Sequence, residues 1–333
     1  MRTKQHPNAE GTAKIAVIGA GLAGLACARS LTDAGLRVVV LDKGRGPGGR
    51  TSTRREGSHR FDHGAARLEL GAPELAARRA AWEADGVIAP WQPITSGTSD
   101  HAATWIGVPG SNALAWHLAH GLDLRLQAQV ERIDADRANT WRVVLADGEV
   151  IGPFSFVIVT APAPQTLVLL ATTALDAYGS TLASVEFAPC LVAMVVVKAH
   201  DLDLDELHVS EGPLAQAHRM DRRPGRDSGL GEQRWVLQGR DQWSAAHIDH
   251  DLGRATDELV AAFVRTLPCE VLESRGHRWR FARATRRIAA PFLLDRGRGI
   301  GLAGDWFEAG TRAPAASRAL ISGCALAAAI HAG

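Results

Sequence analysis

Three glycines and an aspartate near the start of the chain have the types and spacing of a dinucleotide site. Gly19, Gly21 and Gly24 form the pattern G-x-G-x-x-G, and Asp42 ends the apolar segment that follows. Gly19 permits a tight turn, Gly21 lets the backbone approach a pyrophosphate, and Gly24 allows a helix to pack close to a strand. Ala20 completes the loop, and Asp42 can accept hydrogen bonds from ribose hydroxyls. These residues predict phosphate and ribose binding.

A second glycine-rich loop, Arg45-Gly46-Pro47-Gly48-Gly49-Arg50, lies just after Asp42 and Lys43. Its Gly49 allows close backbone approach, and its Arg50 can pair with a pyrophosphate oxygen. A nicotinamide dinucleotide does not need a second phosphate loop here, whereas the longer, extended FAD does. A purely structural basic loop stays possible, but the residue types favour FAD.

The elements that must position these loops predict an α/β fold. Ile15–Ile18 and Arg37–Leu41 have the apolar character of strands, and the segment between them is helix-like, which makes a βαβ unit. Leu122–Ile133 and Trp141–Leu145 alternate as strands do, and Phe154–Thr160 is continuously apolar, as in a buried parallel strand. Further expected elements are strands at Cys190–Lys198 and Arg234–Gln238, helices at Thr256–Leu267 and Ala313–Ile330, and a loop at His218–Gln233.

The pattern GAGLAGL…DKGRGPGGRTSTRR…FDHGA resembles the flavin-containing amine oxidase superfamily, and within it the bacterial renalase-like FAD oxidoreductases. Motifs at Trp105–Gly110, Trp235–Gln238, His277–Trp279 and Gly304–Trp306 follow in that family's order, so the resemblance covers nearly the whole chain from residue 14. It implies a glutathione-reductase-like FAD-binding Rossmann domain, a discontinuous mixed-sheet substrate domain of α+β type, and non-covalent FAD.

The resemblance also implies which residues meet the cofactor. Val130 matches the position whose backbone meets the adenine, although it equally suits an ordinary strand residue. Gly64, Ala65 and Ala66 lie where the family's chain passes the ring edge of the flavin. Asp305 ends a strand, where a carboxylate can accept from the ribityl hydroxyls. The expected FAD contacts are Gly19, Ala20, Gly21, Gly24, Asp42, Lys43, Gly49, Arg50, Gly64, Ala65, Ala66, Val130, Gly304 and Asp305.

The catalytic residues are not specified by the sequence, because the flavin ring carries the chemistry and no side chain need act as acid or base. His63 is a candidate proton relay, with a structural histidine beside a turn as the alternative. Trp235 and Gln238 are candidates for a flat substrate pocket, together with Trp105, Trp243 and Trp279, although a core role suits any single tryptophan. His277 and Arg278 can hold an anionic group, or form interdomain ion pairs instead.

Three functions compete. The first is renalase-like oxidation of aberrant dihydro-NAD(P) isomers to NAD(P)+, with dioxygen as acceptor, for which the Arg54–Arg55 and Arg278–Arg280 segments suit a phosphate-bearing substrate. The second is an amine oxidase or desaturase, disfavoured because the chain has one tyrosine and Lys198 is its only lysine past residue 43. The third is a flavin-free binding protein. The chain departs from the family at Ala66, Arg67 and Phe307–Pro314, which weakens the substrate assignment.

Composition restricts the partners. The chain has 333 residues, 46% of them hydrophobic, and a net charge of +1, so we expect a small-molecule substrate and neither nucleic acid nor an anionic membrane. Four scattered cysteines predict no disulfide and no metal site, and point to a reducing cytoplasm. No apolar run has transmembrane length without glycine breaks. Nothing in the sequence indicates an oligomeric state.

The chain alternates between cofactor and substrate segments, so discontinuous domains are expected. We expect residues 14–70, 118–163 and 276–333 to form the FAD domain, and residues 71–117 and 164–275 to form the substrate domain. Residues 1–13 are polar and are expected to be flexible.

Overall fold

A computed structural model describes residues 14–96, 104–136, 140–171, 173, 176–198, 202–226, 231–310 and 313–332. The terminal segment 1–13 lies outside the described residues. The α-helices are α1 (Leu22–Asp33), α2 (Ala76–Ala84), α3 (Ala113–Ala119), α4 (Ala163–Leu170), α5 (Asp176–Ala183), α6 (Asp241–His247), α7 (Leu252–Thr266) and α8 (Ala315–His331). The first strands are β1 (Lys14–Ile18), β2 (Arg37–Leu41), β3 (Arg54–Glu56), β4 (His59–Phe61), β5 (Ile88–Trp91), β6 (Thr104–Gly107), β7 (Asp123–Arg125), β8 (Val130–Ala135) and β9 (Trp141–Leu145). The later strands are β10 (Val150–Phe154), β11 (Phe156–Val159), β12 (Glu186–Lys198), β13 (Glu206–His208), β14 (Leu214–Arg219), β15 (Glu232–Gly239), β16 (Val271–Arg286), β17 (Leu293–Asp295) and β18 (Ile300–Leu302).

The first sheet has six strands in the order β17-β18-β11-β1-β2-β7. Strand β1 lies at its centre and pairs in parallel with β2 and β11, while β17 pairs antiparallel with β18 at the edge. Both faces of the sheet are covered by apolar cores, which explains why the central strands are continuously apolar. The expected βαβ unit is therefore confirmed.

Small residues bring α1 and α8 close together beneath this sheet. A Cβ atom at Gly323 in α8 would lie 2.1 Å from the carbonyl oxygen of Ala23 in α1, so only glycine fits at this crossing. The predicted small-residue helix at the C-terminal end is confirmed, beginning at Ala315 rather than Ala313.

Two predicted strands are each divided between two sheets. Leu122–Ile133 was expected to be one strand, but β7 joins the first sheet and β8 joins the separate antiparallel sheet β10-β9-β8. Gln127 lies between them with a positive φ of 57°, and its backbone N–H donates to Gly44 O. Phe154–Thr160 is likewise interrupted at Ser155, whose N–H donates to Lys14 O. The alternation of apolar residues continues across the first break, and the apolar character of the segment continues across the second, so neither pattern could show the break.

The second large sheet has the order β13-β14-β15-β12-β16. Its strand pairings are all antiparallel, which corrects the expected mixed sheet. Helix α7 packs against one face, and the other carries the apolar side chains that meet Phe61. The expected loop at His218–Gln233 is also corrected, because His218 and Arg219 belong to β14, and Glu232 and Gln233 to β15.

The expected domain boundaries cross real elements. Strand β16 of the second sheet runs on to Arg286, past the expected change of domain at residue 276. Leu75, Trp82 and Trp105, from the segment assigned to the substrate domain, pack into the core beneath the first sheet. We therefore propose that residues 71–117 serve the FAD domain at least in part and that the last crossing follows Arg286. Within the described ranges, no helix combines the length and apolarity needed to cross a membrane.

Candidate functional site

The first glycine loop has the backbone that its sequence predicts. Gly19 has a φ of 108°, which favours glycine, and a Cβ atom at Gly24 would lie 2.0 Å from Gly19 O. Gly21, by contrast, faces open space, since a Cβ there would meet nothing within 4 Å. Gly21 is also the N-cap of α1 and provides no side-chain cap. Free N–H groups beside open space fit a pyrophosphate at a helix N-terminus.

The second glycine loop packs directly against the first. Gly48 donates its N–H to Ala20 O at 2.8 Å, and both Gly48 and Gly49 have positive φ values, 124° and 54°. A Cβ atom at Gly49 would lie 3.5 Å from Gly21 Cα. The fold thus brings the two loops into a single cradle, which is what an extended dinucleotide requires.

The Asp42 carboxylate holds the backbone on both sides of the cradle by accepting two hydrogen bonds. One carboxylate oxygen accepts from Ala20 N at 2.6 Å and the other from Gly44 N at 2.6 Å. Carboxylate oxygens retain further lone pairs after one hydrogen bond each, so Asp42 can still accept from ribose hydroxyls. Lys43 is exposed beside it, and Val130 is half-buried at the head of β8, in the core on the adjoining face of the first sheet.

Arg50 and Asp305 form a bidentate ion pair that joins the second glycine loop to the segment after β18. Its two N···O distances are 2.9 and 2.6 Å, and the Asp305 side chain is buried. Arg50 was expected to bind a pyrophosphate oxygen, but here its guanidinium is occupied by a carboxylate. Gly304 is fixed next to this pair, where its N–H donates to Ser322 Oγ at 3.0 Å.

The Gly64–Ala66 segment passes tightly over Arg50. Ala65 N donates to Arg50 O at 2.7 Å, and a Cβ at Gly64 would lie 2.0 Å from the same oxygen, so position 64 requires glycine. Two side chains of the second sheet fasten this segment: Gln238 Nε2 donates to Gly64 O at 3.0 Å, and Trp279 Nε1 donates to His63 O at 2.8 Å.

His63, His277 and Trp279 form an aromatic cluster beside this segment. The His63 ring stacks on Trp279 with centroids 5.3 Å apart, and meets the edge of His277 at 4.6 Å. Burial, and then the charges of His277 and Arg54, lower the pKa of His63 to about 4. Burial followed by the Arg54 charge lowers the pKa of His277 to about 4. Both imidazoles are therefore neutral at pH 7.

Several predicted site residues lie elsewhere. Trp235 is fully buried against Phe263 of α7, on the face of the second sheet away from the cluster. Arg278 is adjacent in sequence to His277 and Trp279, but successive residues of a strand face opposite sides. Its guanidinium accordingly donates to His250 O at 2.7 Å. The structure brings together His63, Gln238 and His277 and places Trp235 and Arg278 outside this group.

The other two tryptophans also serve packing. Trp105 is buried and donates to Glu83 Oε1 at 2.7 Å, with the Arg79 guanidinium over its ring. Trp243 stacks on His247 of the same helix. Of the tryptophans proposed for a flat pocket, only Trp279 belongs to the aromatic cluster.

The structure contains a buried charge network around Asp62 that was not predicted from the sequence. Thr53 Oγ1 donates to its carboxylate at 2.6 Å, Ser111 N at 3.0 Å, Arg226 at 2.7 Å and Arg223 at 3.2 Å. Burial alone would raise the pKa of Asp62, but the two arginines outweigh it and hold the pKa below its usual range. Both arginines belong to the segment that was expected to be a loop. The sequence therefore contained no indication of their pairing with Asp62, apart from the presence of this acid in the DHGA motif.

Two family models match most of the chain. A model of the NAD(P)-binding Rossmann-like domain matches residues 17–79, and a model of the flavin containing amine oxidoreductases matches residues 97–331, well over half of the chain. The chain belongs to the flavin containing amine oxidoreductases. It is an oxidoreductase, and its cofactor is FAD. The expectation of an enzyme with FAD is thereby confirmed, and the alternative of a flavin-free binding protein is excluded.

Solved structures share the fold of this oxidoreductase. A protein from Exiguobacterium sp. 255-15, assigned as a protoporphyrinogen oxidase, superposes with a TM-score of 0.75 at 13% identity, covering 97% of this chain and 99% of that one. A reduced UDP-galactopyranose mutase gives 0.73 at 13% identity, covering 96% and 95%. A putrescine oxidase double mutant gives 0.73 at 13% identity, covering 97% and 100%. At such identities the likeness shows the fold alone.

A curated relative matches over a shorter stretch. The neurosporene-forming phytoene desaturase of Rhodobacter capsulatus is 51% identical over 57 residues, which are 17% of this chain and 11% of that protein. The oxidoreductase thus spans about a tenth of that relative's length in this match. Within the described ranges, no group of three or more His, Cys, Asp or Glu side chains is arranged to hold a metal ion.

Proposed function

We propose that this oxidoreductase is a renalase-like oxidase that converts aberrant dihydro-NAD(P) isomers to NAD(P)+, with dioxygen as the final acceptor. One observation carries the proposal: the surface beside Gly64 is aromatic, neutral and bordered by Arg54. The carboxylates of the surrounding elements, Glu56, Asp62 and Asp305, are each paired with arginine. A cationic amine would therefore find no unpaired carboxylate among these three. A phosphate-bearing planar ring would find aromatic faces and a net positive charge, because Arg54 and Arg275 share the single carboxylate of Glu56.

FAD fits the cradle, and several residues are proposed to hold it. The pyrophosphate would rest on the open backbone at Gly21 and beside Gly49, where Lys43 offers positive charge. Arg50 would contribute N–H donors beyond those that bind Asp305 and Ala282. Asp42 would bind the ribose, Asp305 the ribityl chain, Val130 the adenine, and Gly64–Ala66 the ring edge. When bound, FAD supplies the hydride acceptor and the route for two electrons to dioxygen. The remaining proposed FAD contacts are Gly19, Ala20, Gly24 and Gly304.

The neutral histidines suit this reaction. Oxidation of a dihydropyridine removes a hydride from a ring carbon and leaves a pyridinium cation, so no protein group has to donate or accept a proton. His63 and His277 remain uncharged at pH 7 because their pKa is lowered to about 4, and they do not repel the developing cation. We propose that Trp279 and His63 present a flat face to the pyridine ring. Gln238 keeps the adjoining backbone in place through Gly64 O.

Anaerobic stopped-flow tests the proposal on the FAD-loaded protein, following the oxidised flavin band at about 450 nm. The enzyme is mixed separately with the 2- and 6-dihydro isomers of NADH, with ordinary NADH and with putrescine and other amines. Rapid bleaching by the isomers, at rates at least a hundredfold above those with NADH and amines, is expected. Bleaching by amines instead would assign the chain to the amine oxidases and contradict the proposal. A Trp279→Phe variant, measured with enough added FAD to saturate it, should bleach more slowly than the wild type.

A further inference from the structure

Two arginines lie directly opposite each other on the hairpin of β3 and β4. The strand register pairs Arg55 with Arg60, so both side chains leave the same face of the hairpin. Like charges in this arrangement destabilise a strand pair. Neither guanidinium has a hydrogen bond or ion pair within the described part of the chain, whereas neighbouring Arg54, on the opposite face, pairs with Glu56.

Both arginines line a cleft of about 360 Å³. The cleft is also lined by Thr53 just before β3, by Asp85 of the turn after α2, by Val108–Gly110, and by Asn112 and Trp116. Trp116 is 49% exposed, whereas the other Phe, Trp and Tyr side chains are all buried or half-buried. A pair of uncompensated positive charges thus shares a concave surface with an exposed aromatic face.

The cleft is separate from the FAD cradle. Residues of a hairpin alternate between its two faces, and Arg54 and Phe61 occupy the face that meets the second sheet. None of the proposed FAD contacts lines the cleft. Asn112 and Trp116 approach the second glycine loop only from outside, where Cβ atoms at Gly48 and Gly46 would meet them at 3.4 and 3.7 Å.

We propose that this cleft is a second ligand site, which binds a nucleoside phosphate. Two adjacent guanidinium groups recognise a phosphate by paired hydrogen bonds and would lose their mutual repulsion on binding it. The Trp116 ring can stack on a base. Asp85 disfavours a bare anion but can accept hydrogen bonds from ribose hydroxyls or an exocyclic amino group. The cleft volume lies within the range of small-molecule sites, about 300–1,000 Å³.

Isothermal titration calorimetry of the FAD-loaded protein with AMP, inorganic phosphate and adenosine tests this site. Loading with FAD first keeps AMP out of the cradle. We expect one AMP per chain, weaker binding at higher salt, and weaker binding of phosphate or adenosine alone. Arg55→Gln together with Arg60→Gln should weaken AMP binding at least tenfold. Trp116→Ala should weaken AMP and adenosine while phosphate binding is retained.

A double variant of exposed arginines, Arg254→Gln with Arg286→Gln, provides the control, because it removes the same charge far from the hairpin and should bind AMP normally. Flavin content and melting temperature establish that each variant is folded. Unchanged AMP affinity in the Arg55, Arg60 variant would overturn the proposal. So would AMP binding that is seen only after FAD has been stripped, because the ligand would then occupy the cradle, and so would tighter binding of phosphate than of AMP.

Discussion

At the residue scale, two glycines of the cradle have different roles: Gly24 matters for the stability of the fold, and Gly21 for the binding of FAD. A methyl group at Gly21 meets nothing in the protein, whereas one at Gly24 collides with Gly19 O. We therefore expect Gly21→Ala to leave the stability of the FAD-free protein almost unchanged and to weaken FAD binding at least tenfold. Gly24→Ala should cost about 1–3 kcal/mol of stability, since the helix must move away from the loop.

Urea unfolding of both FAD-free variants, followed by titration with FAD, measures the two effects independently. Equal destabilisation by Gly21→Ala and Gly24→Ala would contradict the assignment of open space to Gly21. The sequence predicted the role of each glycine here, because turn geometry and close packing leave a signature in residue type.

The histidine pair should make stability depend on pH. A histidine in the unfolded chain has a pKa near 6.5, whereas burial lowers the pKa of His63 and of His277 to about 4 in the folded protein. Between these values the unfolded state holds more protons, so stability must fall as pH falls. The slope is at most about 1.4 kcal/mol per pH unit for each histidine.

Urea denaturation of the FAD-free protein between pH 7 and 5 measures this slope. His277→Gln should reduce it clearly, whereas replacement of exposed His331 by Gln should leave it as in the wild type. A slope that neither His63→Gln nor His277→Gln reduces would contradict the burial of these rings. Some slope should remain in both variants, because burial also lowers the pKa of His218.

At the scale of elements, Asp62 connects the end of β4 to the Ser111 loop and to the segment that carries Arg223 and Arg226. The carboxylate and both guanidiniums are buried. Asp62→Ala leaves two buried positive charges without their partner, which should cost about 3–5 kcal/mol. Asp203→Ala is the matched control, because that carboxylate is 74% exposed in its pair with Arg222 and should cost below about 1 kcal/mol.

Thermal melting and urea titration of the two variants measure the two losses of stability. Similar losses for both would show that the Asp62 network contributes no more than a surface pair.

Sequence reasoning missed this network because its arginines lie far from Asp62 along the chain. It missed the break between β7 and β8 for a related reason. The change of sheet at Gln127 depends on backbone bonds to residues 42–44, and residue type at 126–129 does not encode them.

At the scale of the whole molecule, the His63–Gly64 segment is one place where side chains of the second sheet hold the backbone beside the cradle. Gln238 and Trp279 belong to neighbouring parts of the second sheet, yet they donate to consecutive carbonyls, Gly64 O and His63 O. Sequence motifs predicted that Gln238 and Trp279 contribute to the site. Only the fold shows that they do so by hydrogen bonding to the backbone of residues 63 and 64. The next residue, Ala65, donates its N–H to Arg50 O, and the Arg50 side chain pairs with Asp305.

Gln238→Leu and Trp279→Phe should therefore show coupled effects on FAD binding. Each change leaves a backbone carbonyl without its side-chain donor, which should cost about 1–2 kcal/mol. Either remaining bond still restrains the segment, so the double variant should lose more FAD affinity than the sum of the single losses, by about 0.5–1 kcal/mol. Fluorescence titration of the four proteins with FAD completes the cycle. Strict additivity would mean that the two hydrogen bonds restrain residues 63 and 64 independently, and it would contradict the expected coupling.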